Sequence, residues 1–215
     1  MEITDKFLRI DNHACDEGYK WWLENDKPTD VISTAKKLNS EDHNDWASWL
    51  IVRFMSNEQK VQYAIFSAEQ VIDIFEKKYP NDDRPRKAIE AAKNYLKDKS
   101  KKKADAAYAA HAAAYAAHAA HAAYAADAYA ADAYAATAAA YAAYAATAAA
   151  TDAYAAYDAA YAADAAAAAA YDAAYAADAA AAAAAYDATA AAYAAAYARK
   201  DMQNKILEYG IGLFK

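Results

Sequence analysis

Turn-forming residues are scarce in this chain. Three glycines and three prolines in 215 residues leave little turn chemistry. Cysteine is scarcer still. Cys15 stands alone, so neither an intrachain disulfide framework nor a cysteine zinc site is possible. A lone thiol fits a reducing, cytoplasmic compartment. The opening stretch MEITDKFLRIDNHACDEGYK has no basic segment leading into an apolar run, so no secretory signal is expected. The largest absence lies in residues 104–198, which contain no Leu, Ile, Val, Phe, Met or Trp and no Lys or Arg. Such a segment lacks the hydrophobicity of a membrane span, and no membrane partner is expected.

What fills those 95 positions is 64 Ala, 15 Tyr, 9 Asp, 4 Thr and 3 His. The 59% hydrophobic content is therefore mostly alanine. Charge divides along the same line. Residues 1–103 carry 19 Lys+Arg against 19 Asp+Glu, whereas residues 104–215 carry 4 against 11, which gives the whole net charge of −7. An acidic balance argues against nucleic acid as a partner, because nucleic-acid binders show a basic footprint.

Three regions follow: a helical domain at 1–100, an Ala/Tyr/Asp-rich helical repeat at 101–198, and a C-terminal helix at 199–215 packing back on the body. The expected fold class is all-α. HACDEGYKWWLEN reads as a helix with Cys15, Tyr19 and Trp22 on one face, and KPTDVISTAKKLN as a short second helix. SEDHNDWASWLIVRFM places Trp46, Trp49, Leu50 and Arg53 at i, i+3, i+4 and i+7. SNEQKVQYAIFSAEQVIDIFEKKY is the clearest helix. Ser56 and Gln59 form a capping-box pattern. Val61, Ala64, Ile65, Ala68, Ile72 and Phe75 form one apolar stripe, and Pro80 ends it. A further helix starts near Asp83, with Pro85 in its first turn and Ala88, Ile89, Ala92 and Leu96 facing inward. In the last helix Met202, Ile206 and Tyr209 share a face, and Gly210 suits a C-cap. The lysines of KDKSKKK at 97–103 complement a helix C-terminus. They read as a solvated hinge, or alternatively as a docking patch.

The tract is repetitive: YDAAYAADAAAAAA at 157–170 returns at 171 and, weakened, from Tyr186. Alanine is the best helix former. One unbroken helix would span about 140 Å at 1.5 Å per residue and expose every tyrosine. From Thr137 the larger residues recur every three or four positions, close to a coiled-coil repeat. Between Tyr124 and Thr137 the steps alternate three and two, which keeps to no helical face, so an interruption is expected there. Alanine lets helices approach closely, and tyrosine supplies bulk. A buried phenol needs a partner, and Tyr124–Asp127, Tyr129–Asp132, Tyr161–Asp164 and Tyr175–Asp178 are i, i+3 neighbours. The structural reading of these residues is a tyrosine–alanine core; the functional one is an aromatic, acidic gripping surface. Lacking large aliphatics, the tract is expected to dock on the helix 60–76 stripe, on the Trp46/Trp49 face, on the last helix or on a second copy of the chain.

No catalytic constellation emerges. GxGxxG, P-loop, GxSxG and HExxH motifs are absent. His111, His118 and His121, with Asp127, invite a metal reading, but they also fit slots that Tyr, Asp and Thr fill elsewhere, so no metal and no cofactor is expected. His13 and His43 read as surface or cap residues, and Cys15 as core. The chain is not expected to be an enzyme.

Trp46 and Trp49, then Asp83, Arg84, Pro85, Arg86, Ala88 and Ile89, then an alanine tract, resemble the alanine-rich immunity proteins of bacterial polymorphic toxin systems, a family with phage-borne relatives. The resemblance covers residues 40–135. It departs from the pattern in that the tract has no Arg and runs longer. It implies an all-α, non-enzymatic protein that binds and neutralises a toxin or effector. Read from the residues alone, Arg84 and Arg86 pair with nearby acids at the helix start or with tract aspartates. Candidate partner-binding residues are Arg84, Arg86, Tyr115, His118, Tyr124 and Asp127. The alternative is a phage-type anti-defence protein that sequesters a nucleotide-like ligand in a Tyr/His-lined cage. Its phosphates would fall to Arg84, Arg86 or the 99–103 lysines. Ice binding fits the sequence poorly, since the tract holds only Thr137, Thr147, Thr151 and Thr189, without regular spacing, and a β-solenoid, suggested by the five-residue spacing at 124–134, is likewise disfavoured.

Overall fold

The structure is a computed structural model that describes residues 2–100, Ala165 and 188–214. The fold is all-α. Among the described residues there is no strand, only an isolated bridge between Glu2 and Asp30. The chain divides into two compact units, Met1–Phe54 and Met55–Lys215. The boundary falls inside the stretch that the sequence presents as one helical domain.

The first unit opens with a π-helical turn, Phe7–Asp11, and continues with α1 (Asp16–Glu24), α2 (Val31–Ser40) and α3 (Asn44–Phe54). Each start has a local cause. Cys15 caps α1, its Sγ accepting from the Gly18 N–H at 3.3 Å, with Asp16 and Glu17 in the first turn where the dipole favours acids. Asp30 caps α2 by accepting from the Ser33 N–H at 2.7 Å, which holds its carboxyl below the ordinary value. Between them Asp26 and Lys27 are left-handed, at φ 59° and 51°, just before Pro28. Asp42, at φ 64°, turns the chain from α2 into α3. Helices α2 and α3 pack on each other, with Val31, Ala35, Leu38, Ala47, Leu50 and Ile51 buried.

Cys15 is exposed, not a core residue as its position beside two tryptophans predicts. Capping explains this, since a cap side chain folds back over the backbone N–H groups rather than joining the apolar face. The core face of α3 is likewise Asn44, Ala47, Leu50 and Ile51, while Trp46, Trp49 and Arg53 are half-buried.

In the second unit α4 spans Asn57–Glu69, α5 Ile72–Lys78, α6 Arg84–Lys97 and α7 Ala188–Gly212. The capping box at Ser56 and Gln59 is present in both directions. The whole expected stripe from Val61 to Phe75 is buried, joined by Tyr63 and Val71. The single helix expected over Ser56–Tyr79 is, however, two. Ser67 Oγ donates to the Tyr63 carbonyl at 2.8 Å, and Gln70 Nε2 to the Phe66 carbonyl at 3.0 Å. Side-chain bonds to i−4 carbonyls bend a helix, and at Val71 the ladder tightens to an i−3 bond, Val71 N–H to the Ala68 carbonyl.

Helix α4 packs against α6 and α7. Pro85 is buried in the first turn of α6, and Ala88, Ile89 and Ala92 face inward as expected. The fourth inward position is Tyr95 rather than Leu96, which is half-buried. Phe66 and Tyr209 stack at 3.9 Å and 4°, and Gln59 donates to the Leu213 carbonyl. Helix α7 thus packs back on α4. From Arg199 onward its buried residues are Ile206, Leu207 and Gly210; Met202 and Tyr209 are half-buried. Gly210 lies within the helix, which runs to Gly212, and is not the expected C-cap. Helix α7 begins at Ala188, inside the alanine tract, and Ala195 and Ala165 are buried.

Candidate functional site

Arg84 and Arg86, the described members of the expected binding set, lie at the start of α6. Arg84 forks onto Asp82, with Nε to Oδ1 at 2.8 Å and Nη2 to Oδ2 at 2.6 Å. Arg86 forks onto Glu76 of α5, with Nε to Oε1 at 2.6 Å and Nη2 to Oε2 at 2.5 Å, and Asp73 lies 3.5 Å away. Paired N–H···O bonds of this kind are the strong form of arginine–carboxylate contact. They raise both guanidinium pKa values and hold the Glu76 carboxyl below its ordinary value. Both arginines therefore tie α6 to its own surroundings. The chain bends around them through Tyr79, Pro80, Asn81 and Asp82, which line a shallow, open depression.

Two further cations of α6 are also matched, Lys87 with Asp83 at 2.8 Å and Lys93 with Glu69, as is Lys99, just beyond the helix, with Glu58 at 2.7 Å. Lys99 is thus an ion-pair partner of the α4 N-terminus. Lys101, Lys102, Lys103, Tyr115, His118, Tyr124 and Asp127 lie outside the described residues, as do His111 and His121. Among the described residues no group of His, Cys, Asp and Glu is placed to hold a metal ion, and no helix is long and apolar enough to cross a membrane.

A second cluster sits on the first unit, where cations lie over rings. Arg9 is 4.8 Å from the Tyr19 ring centroid, Lys27 5.9 Å from Trp22, Lys37 5.7 Å from Trp21, and Arg53 3.8 Å from Trp49. Tyr19 also donates to Asp5, which pushes its phenol above the ordinary value. Trp21 Nε1 donates to Glu41 at 2.7 Å. His43, read from sequence as partnerless, stacks on Trp46 at 4.2 Å and 11°. The spacing signal for the Arg53 contact was in the sequence, because Trp49 and Arg53 are i, i+4 neighbours on α3. The pairing of Arg86 with α5 left no such trace.

Arg53 differs from the other arginines in this cluster and in α6. Its Nη1 donates to the Trp49 carbonyl at 2.9 Å, and burial pushes its pKa down to about 10. Comparison with family models, characterised proteins and solved structures gives no significant match.

Proposed function

We propose that this chain is a non-catalytic binding protein that captures and neutralises a basic protein, a toxin or effector. One observation carries the reading: residues 104–198 hold nine Asp and no Lys or Arg. The pairing in the second unit supports it. Five cations from Arg84 to Lys99 are engaged by carboxylates of α4, α5 and the α5–α6 turn, so the acid surplus is not theirs to cancel. An acidic surface speeds capture of a basic partner, and tyrosine is enriched where interface energy concentrates. The resemblance to alanine-rich immunity proteins points the same way.

The test is co-purification of the full chain with the product of the adjacent gene, repeated with tract aspartates 127, 132, 164 and 178 changed to asparagine. Association should slow in the variant and in high salt. Equal association rates for both proteins at all salt concentrations would remove the electrostatic basis of the reading. Sequestration of a nucleotide-like ligand receives less support, because Arg84, Arg86 and Lys99, three of the cations that could receive its phosphates, are occupied by carboxylates, while Lys101, Lys102 and Lys103 lie outside the described residues. Saturable calorimetric binding of a nucleotide to the full chain would reverse this order.

A further inference from the structure

Two classes of arginine are present among the described residues. Arg9, Arg84 and Arg86 each have a carboxylate oxygen within 2.7 Å, and Arg199 is exposed to solvent. Arg53 is half-buried, and no carboxylate of the described residues lies within ion-pair reach of it. A guanidinium withdrawn from water without an anion is costly. Stacking on Trp49 and one hydrogen bond to the Trp49 carbonyl offset part of that cost. Among the described residues, that bond is the only one its five N–H donors make. Burial accordingly pushes its pKa down to about 10.

A guanidinium held 3.8 Å over an indole, with further N–H donors unengaged among the described residues, is suited to planar, bidentate recognition of an anion. The surroundings select among anions. Residues 1–54 carry 7 Lys+Arg against 11 Asp+Glu, and this net negative charge opposes a dianion or polyanion more strongly than a single negative charge. We propose that the Arg53–Trp49 pair is an anion-recognition site that takes one carboxylate from a protein partner. The partner rests on the binding reading above; the carboxylate preference does not.

The chain has five arginines, each giving one Nε–Hε proton resonance, and R53K identifies Arg53 by loss of its signal. The full chain is titrated with the peptide acetyl-Ala-Ala-Glu-Ala-Ala-amide, with its glutamine analogue, and with inorganic phosphate, at constant ionic strength. The Arg53 resonance should shift saturably with the glutamate peptide and not with the glutamine one, and R53M should weaken binding about tenfold or more. No shift, an equal shift with the glutamine peptide, or a larger response to phosphate overturns the assignment. A captured protein partner that binds R53M as tightly as the unaltered chain overturns it too, while leaving the capture reading intact. A carboxylate response without any captured protein upholds the Arg53 site and sinks the capture reading instead.

Discussion

The two units differ in how their described cations are held, although Arg9 of the first also meets a carboxylate. In Met1–Phe54 all four described cation–ring contacts occur, and all four tryptophans of the chain are there. In the second unit Arg84, Arg86, Lys87 and Lys93 of α6 sit in carboxylate pairs, and aliphatic and alanine side chains, joined by Tyr63, Phe75 and Tyr95, are buried. At Arg53 the first arrangement leaves N–H donors unspent among the described residues, since a ring face accepts charge without taking hydrogen bonds. The second spends them on helix-to-helix ties. The difference is why Arg53 is the better recognition candidate, although Arg84 and Arg86 carry the family-like motif.

The tryptophan distribution also lets the two units be watched separately. Tryptophan fluorescence reports the first unit, and circular dichroism reports helix in both. The sharpest attack on the comparison is Ile72→Asp, which places a carboxylate at a fully buried position with no cation of its own. A loss of about 4 kcal/mol or more is expected, seen as early loss of helix signal in denaturant with the fluorescence transition left in place. Coincident transitions would mean that the two units unfold as one. The reverse experiment is Trp22→Ala. Trp22 is buried, and its Nε1 donates to the Pro28 carbonyl at 2.9 Å. A cost of about 3 kcal/mol should fall on the first unit alone, leaving the Phe66–Tyr209 stack intact, as the ring-current shifts of those protons would show.

Smaller effects sharpen the contrast. Ser56→Ala removes one side of the capping box and should cost about 1 kcal/mol in chemical denaturation of the second unit. Glu76→Gln tests the carboxylate pairs. The half-exposed site limits the cost to about 0.5 kcal/mol after solvent screening, and the pH dependence is the better readout. Because Arg86 holds the folded carboxyl below its ordinary value, its contribution is present above the unfolded pKa of about 4.3 and is lost as pH falls through the lower folded value. The variant should lose that segment of acid sensitivity in denaturation midpoints compared across pH. An unchanged profile would mean that the fork with Arg86 contributes nothing measurable.

Much of the second unit was legible because its signals act within one or two turns. The Ser56/Gln59 box, Pro80 after α5, Pro85 at the start of α6 and the stripe from Val61 to Phe75 all follow from bonds and periodicity among residues no more than four apart. The break between α4 and α5 was not legible, because no Gly or Pro marks it. It depends on whether Ser67 and Gln70 turn back to their carbonyls or out to solvent. The candidate site was half legible. The i, i+4 spacing placed Arg53 against Trp49, but spacing says nothing about which acids of the described residues reach it.

By itself, then, the sequence determined the helical class, the helix starts, the main apolar stripe and the confinement of the acid surplus to residues 104–215. These are properties of composition and of contacts close along the chain. The tertiary structure decided which face of α3 is core, that Tyr95 and not Leu96 points inward, that Cys15 stays outside, and which carboxylate each arginine meets. The physical reason is that a helix rich in apolar and aromatic residues has more than one face able to be buried. Only the helices packed against it, and the charges they bring, choose among those faces.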